Sequence, residues 1–248
     1  MTDSRRLGII GAGKIGTTIA RAAVAAGYDV AISGSGPADR IALTVDVLAP
    51  GALATTTEAV VRRADLLILT VPTHRFRKLP RDLFNGKIVV DAMNYWEPID
   101  GDDLELATAP GGSSTVVQTH FSSARVVKSL NQLGYHEFEE HRQVLGSPNR
   151  VAVAAAGDDP EAVAQVLQLI DHLGFDGIDA GDLDAGVALG PDGAAFGVAY
   201  NADQLAGLLW PESRSDTERA DERADRGATV RRRPDRADLK KLASKAVG

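Results

Sequence analysis

Three glycines, Gly11, Gly13 and Gly16, lie in the run Leu7-Gly8-Ile9-Ile10-Gly11-Ala12-Gly13-Lys14-Ile15-Gly16. A Gly-x-Gly-x-x-Gly turn of this kind, fed by an apolar stretch and left by an alanine-rich one, can hold a diphosphate. Each glycine has its own reason. Gly11 permits a tight turn, Gly13 lets a pyrophosphate approach the backbone, and Gly16 lets the following helix lie close to the strand. The helix start adds backbone N–H groups and the positive end of a dipole, so Ala12, Lys14 and Ile15 contribute main-chain contacts without any obligatory cationic side chain.

The elements that must position this turn can be read around it. Leu7–Ile10 is a strand and the segment to about Ala26 is a helix, after which Tyr28–Ser33 is a second strand. The tip Ser33-Gly34-Ser35-Gly36-Pro37 has no carboxylate before Asp39. A carboxylate there would accept from a ribose 2′-hydroxyl and repel a 2′-phosphate, whereas the hydroxyls of Ser33 and Ser35 suit a phosphate, so NADP is expected over NAD. Residues 37–48 read as a helix, 52–55 as a third strand, and Thr57–Arg63 as a helix capped by Thr56 or Thr57. The apolar runs Asp65–Pro72, Lys87–Ala92, Arg125–Asn131 and Arg150–Gly157 read as strands, those in the centre buried on both faces. Asp159-Pro160-Glu161 opens a helix to Leu173, Phe175–Ala180 is the last strand, and Ala194–Leu209 holds a short element closing over the sheet.

In an α/β sheet of this type ligands bind outside the carboxyl ends of the strands. Three exits therefore converge on the cleft. Thr70, Val71, Pro72 and His74 follow the fourth strand; His74 reads as a solvated helix start, with acid/base chemistry or a phosphate contact as the alternative. Asn94 offers an amide toward a nicotinamide, and Tyr95 and Trp96 form either an aromatic wall or packing under a loop. Asn131 to His136 is the third exit. Asp176, Asp179, Asp182 and Asp184 fit neither a calcium loop nor a paired metal site and read as turn and cap residues, so no metal is expected.

Composition bounds the rest. The formal charge of −7 over 248 residues argues against nucleic acid or an anionic membrane as partner, and the lack of cysteine excludes disulfides and thiolate catalysis. There is no basic start followed by an apolar signal core and no run near the length of a membrane span, so a cytoplasmic protein is expected. The fold class expected is a Rossmann-type α/β, doubly wound, mainly parallel sheet with a small C-terminal extension. Residues 1–180 would be the NADP-binding domain, 181–210 a segment closing the site, and 211–248 a disordered charged tail in which Arg231-Arg232-Arg233 is a solvated run.

The glycine turn, the Ser33–Pro37 tip, Ala64–Pro72, Asp91-Ala92-Met93-Asn94-Tyr95-Trp96, Val126-Val127-Lys128-Ser129-Leu130-Asn131 and Ala155–Pro160 together resemble the F420-dependent NADP oxidoreductases, from about residue 6 to 209. The resemblance implies hydride exchange between NADPH and the deazaflavin coenzyme F420, with small-molecule cofactors as substrates, in a homodimer. It implies that Thr70, Val71, Pro72 and His74 line the NADP side and that Asn131 and Leu133 lie where the two rings meet. Such chemistry needs two rings held close, not a nucleophile or metal, so no catalytic side chain is assigned. Two positions depart from the family pattern. Gly34 and Gly36 flank Ser35 where members often carry an Arg after the Ser, leaving Arg40 as the substitute, and Asn131 stands where some members place a His. The alternatives are an NADP(H)-dependent reductase of a flavin, quinone, imine or carbonyl, or a non-catalytic NADP-binding sensor.

Overall fold

The computed structural model describes residues 5–211; the charged tail expected beyond them, with its arginine run, lies outside the described residues apart from Pro211. The chain runs β1 (Arg6–Ile10), α1 (Lys14–Ala25), β2 (Asp29–Ser33), α2 (Asp39–Leu48), β3 (Leu53–Thr55), α3 (Thr57–Arg63) and β4 (Leu66–Leu69). Two 3₁₀ segments, Thr73–Lys78 and Arg81–Phe84, lead to β5 (Ile88–Asp91), α4 (Glu97–Asp100), α5 (Leu104–Thr108), α6 (Ser113–His120) and β6 (Arg125–Ser129). Then follow α7 (Tyr135–Glu140), β7 (Ala152–Gly157), α8 (Pro160–Leu173), β8 (Asp176–Gly181), a 3₁₀ segment Leu183–Leu189 and α9 (Ala202–Leu209).

Eight strands form one sheet in the order β3-β2-β1-β4-β5-β6-β7-β8. The first six are parallel, in the doubly wound order with its switch point between β1 and β4. β7 joins antiparallel to β6, and β8 returns parallel to β7 through α8. The expected Rossmann-type, mainly parallel architecture is therefore the one found.

Local chemistry sets the helix ends. Thr56 accepts from Ala59 N, and Asp159 accepts from Ala162 N at 2.8 Å ahead of Pro160, while Gly174 closes α8 in the left-handed region at φ 102°. Asn201 and Gln204 close a reciprocal capping box on α9. Several strands are shorter than their apolar runs suggest, because residues at the carboxyl ends turn out of the ladder to form the cleft. Arg150 precedes β7, not within it; buried, it reaches Asp171 at 2.9 Å and Asp176 at 3.0 Å. Asp176 is thus an ion-pair partner and not a turn residue, whereas Asp179 accepts from Gly181 N and Asp182 caps the 3₁₀ segment through Ala185 N.

The sheet has a core on each face. One packs Ile9, Ile68, Val90, Val127 and Val153 against α1, α7 and α8. The other packs Leu67, Leu69, Val89 and Val126 against α3, α6 and the phenylalanines Phe76, Phe84 and Phe121. Beyond β6 a smaller apolar layer joins Ala152, Ala154 and Ala156 to Leu189 of the 3₁₀ segment and Leu205 of α9.

Candidate functional site

The glycine turn has the geometry its sequence requires. Gly11 holds φ +123°, and a Cβ there would stand 2.6 Å from the Thr70 carbonyl oxygen. A Cβ on Gly16 would press into the Gly11 carbonyl oxygen, so the helix start and the turn are in direct contact. Gly13 is the opposite case: a Cβ would meet no atom within 4 Å, and this residue is the N-cap of α1 with no side-chain cap. Open space beside a helix start, with the Ile15 and Gly16 amides in its first turn, is where an anion binds. Lys14 lies with its Nζ 5.4 Å from the Tyr135 ring, so the chain leaving β6 returns past the start of α1.

Side chains tie the strand exits together. Thr70 Oγ1 donates to the Gly11 carbonyl at 2.9 Å, and Thr73 Oγ1 to the Asn94 carbonyl at 2.8 Å. Asn94 Nδ2 donates to the Asn131 carbonyl at 3.1 Å, and Asn131 Nδ2 returns a bond to Asn94 Oδ1 at 2.9 Å while also reaching the Leu189 carbonyl. The chain turns into this network at Leu130, whose φ of +60° is a strained setting for a leucine. Asn131 is buried, and its Oδ1 has no hydrogen-bond partner among the described residues.

The pleat and the loops decide where the other expected site residues face. Ser33 is fully buried, with its hydroxyl 3.1 Å from that of Thr57. The strand's alternation turns it toward α3, so the exposed hydroxyl at the tip is that of Ser35. Arg40 folds back over this tip, its Cδ and Nη1 lying 3.4 and 3.6 Å from where a Gly36 Cβ would be. Leu133 is buried in the core face shared with α1 and α8. His74 is held on its Nδ1 and its backbone N by one Asp100 oxygen, at 2.9 and 3.0 Å. The same carboxylate accepts from Trp96 N at 2.8 Å, so His74 and Asp100 fasten the β4 exit to the segment after β5. Tyr95 Oη bonds the Gly101 carbonyl, and Trp96 meets Phe196 edge to face at 5.7 Å. Val71 is half-buried and Pro72 exposed at the mouth.

The strands carry a second feature, which the sequence reading passed over. Residues in register form one row across the sheet: Ser33, Ile10, Leu69, Asp91 and Lys128. Neighbours in such a row point to the same face, and four strand spacings separate Ser33 from Lys128 by about 19 Å. Beside the Lys128 end lies a cleft of about 340 Å³ walled by Trp96, Leu106, Val187 and Pro191, with Ser114 and Lys128 among its lining. The Lys128 and Asp91 side chains are 3 and 1 % exposed, with Nζ 3.6 Å from Oδ2. Lys128 Nζ donates to the Met93 carbonyl, Ser114 Oγ donates to Asp91 Oδ2 at 2.6 Å, and Met93 N to Asp91 Oδ1 at 3.0 Å. Burial pushes the Lys128 ammonium below the usual lysine range, against the opposing pull of Asp91. The signal available in the sequence was a charge at the end of each of two apolar strands, which burial would force to pair.

Part of the chain matches a known family. Residues 6–95 match the family model described as NADP oxidoreductase, coenzyme F420-dependent. That segment holds the glycine turn, the β2 tip, the β4 exit and Asn94, and the family is one of NADP-dependent oxidoreductases. No curated protein sequence matches the chain. Among solved structures, the hypothetical protein SMa0349 of Sinorhizobium meliloti is 24 % identical at a TM-score of 0.71, covering 82 % of this chain and 98 % of its own. A protein of Arthrobacter sp. FB24 described as a "putative f420 dependent nadp-reductase" is 22 % identical at 0.64, covering 84 and 94 %. A reductive aminase of Aspergillus terreus, solved with NADPH and ethyl-5-oxohexanoate, is 19 % identical at 0.52, and the match spans 57 % of its length. At these identities the three share the fold.

Proposed function

We propose that the chain transfers a hydride between NADPH and coenzyme F420. The observation that carries this reading is the row from Ser33 to Lys128, which sets the β2 tip, the glycine turn and an apolar cleft in sequence along one sheet edge. The residues fit NADP. Gly13 leaves room for the diphosphate, Ser35 and Arg40 stand where a 2′-phosphate would be clamped, and Asn131 Oδ1 is a buried acceptor suited to the carboxamide N–H of nicotinamide. When bound, NADPH supplies the hydride. The protein contributes position: the α1 start and Arg40 hold the charged end, the hydrogen bonds of Thr70, Thr73, Asn94 and Asn131 hold the strand exits in place, and Trp96, Val187 and Pro191 wall a slot for a planar acceptor. Val71, Pro72 and His74 form the rim in this reading. The homodimer implied by the family resemblance and the cytoplasmic location expected from the sequence belong to the same proposal.

The test is absorbance. Purified protein with NADPH and F420 is expected to bleach the deazaflavin band, with NADH far slower. NADPH binding without bleaching, or turnover of an imine or flavin in place of F420, would replace this reading with another acceptor.

A further inference from the structure

We propose that Lys128 is the proton donor to the acceptor bound in the cleft between Trp96 and the Leu183–Leu189 segment, with Asp91 and Ser114 as the positioning residues that aim it. The inference rests on the proposed hydride transfer and deepens it.

A lysine that merely filled space would be replaced at little cost by an apolar side chain, since burying an ammonium is unfavourable even when paired. Here the burial is built with care. Asp91 takes hydrogen bonds from Ser114 and from the Met93 amide, so its carboxylate is fixed before Lys128 approaches. Gly186 lies against Lys128, where an added Cβ would come within 3.0 Å of the lysine Cβ, and the 3₁₀ segment is thereby seated on the lysine stem. The ammonium spends one bond on the Met93 carbonyl and faces Asp91 at 3.6 Å, while the residue lines the cleft. In the sheet row it stands one strand beyond Asp91 and two beyond Leu69, whose next residue, Thr70, is bonded to the glycine turn. An acceptor ring in the cleft would thus have the dinucleotide on one side and Lys128 within its lining.

The chemistry calls for such a group. A conjugated ring that takes a hydride on carbon gains a negative charge, which a proton on a ring nitrogen removes. The C4–H bond of the dihydronicotinamide breaks, and its hydrogen and electron pair form a C–H bond on the acceptor. Lys128 Nζ gives its proton to the acceptor nitrogen, leaving NADP⁺, the reduced acceptor and a neutral amine. Water at the cleft mouth then restores the ammonium. Burial has already pushed Lys128 toward easier release of its proton.

The groups facing the lysine are Asp91 from β5, Ser114 from α6, and Glu97, Asp192 and Tyr95 around the cleft, with Asp184 of the 3₁₀ segment against Gly111. Tyr95 brings a phenolic hydroxyl to the same lining, so Tyr95→Phe is the control.

The experiment is single-turnover F420 reduction by the NADPH-loaded wild type from pH 6 to 10, followed by Lys128→Arg and by the double variant Asp91→Asn/Lys128→Met. Arginine keeps the charge but holds its proton, and the double variant removes both charges together. A wild-type rate that falls with rising pH below the usual lysine value, persists in Tyr95→Phe, and drops by about 10²-fold in a variant whose NADPH affinity and melting temperature are retained, supports the proposal. A flat wild-type profile, or a folded variant within about threefold of wild type, overturns it and leaves the hydride-transfer reading standing. Tight NADPH binding by the wild type with no F420 reduction overturns that reading, and this proposal with it.

Discussion

Adding an aspartate at Gly13 should make the protein more stable and less able to bind NADPH. Gly13 is the N-cap of α1, with φ −80° and ψ −174°, a backbone setting open to any residue, and an added Cβ would meet nothing within 4 Å. An Asp there can accept from the Ile15 or Gly16 amide and place its charge at the positive end of the helix, for a gain of roughly 0.5–1 kcal/mol. For a chain of this size that is a rise of about 1–4 °C in melting temperature. The same carboxylate takes the amides a diphosphate needs and stands about 4 Å from it. Its repulsion amounts to about 1 kcal/mol if water screens it fully and about 4 kcal/mol at a protein surface. NADPH affinity should therefore fall by roughly 10- to 1000-fold. Differential scanning fluorimetry without ligand and fluorescence titration with NADPH read the two effects. An NADPH Kd within about threefold of wild type would show that the diphosphate does not lie on this turn, whatever the melting temperature does. Gly16→Ala is the companion: its methyl meets the Gly11 carbonyl oxygen, and overpacking of roughly 1–3 kcal/mol should lower the melting temperature despite alanine's better helix propensity.

Three further outcomes are expected. Arg40→Ala should weaken NADPH by about 10- to 100-fold, the worth of a charge-assisted phosphate contact, and leave the NADH Kd unchanged within twofold; equal losses for both would remove Arg40 from the 2′-phosphate. Asp159→Ala deletes the cap of α8 and should cost about 1 kcal/mol in urea unfolding with no change in NADPH affinity. His172 is pushed below the usual histidine value, first by burial and then by Arg5, with Asp171 opposing, while Tyr28 hydrogen-bonds its ring. The unfolded chain therefore takes up the proton first as pH falls. Stability from this group is complete above about pH 6.5 and is lost as pH drops through the lower folded value, so His172→Gln should flatten the acid side of a stability-against-pH curve.

What was legible in the sequence was local. Gly11 and Gly16 needed no partner to be read, because a positive φ and a close approach exclude every side chain, and the Asp159-Pro160-Glu161 start of α8 satisfies its own amides within one turn. The strand exits could be named because apolar runs end where the sheet ends. What the sequence left hidden depends on register and facing. Ser33 and Ser35 look alike in a polar tip, yet the pleat buries one against Thr57 and exposes the other. Leu133 follows an apolar strand as an apolar residue, and only the turn at Leu130 and Asn131 shows that it packs on the α1 face. The direction of β7 and the meeting of Asp91 with Lys128 arise from pairing between strands far apart in the chain.

The most direct measurement of the central claim follows the hydride itself. NADPH deuterated at both C4 positions is incubated with the protein and F420 in ordinary water, and the reduced F420 is examined by mass spectrometry. The account predicts that the reduced deazaflavin carries one deuterium from the nicotinamide. Reduced F420 without deuterium, or no reduction while NADPH stays bound, would contradict it.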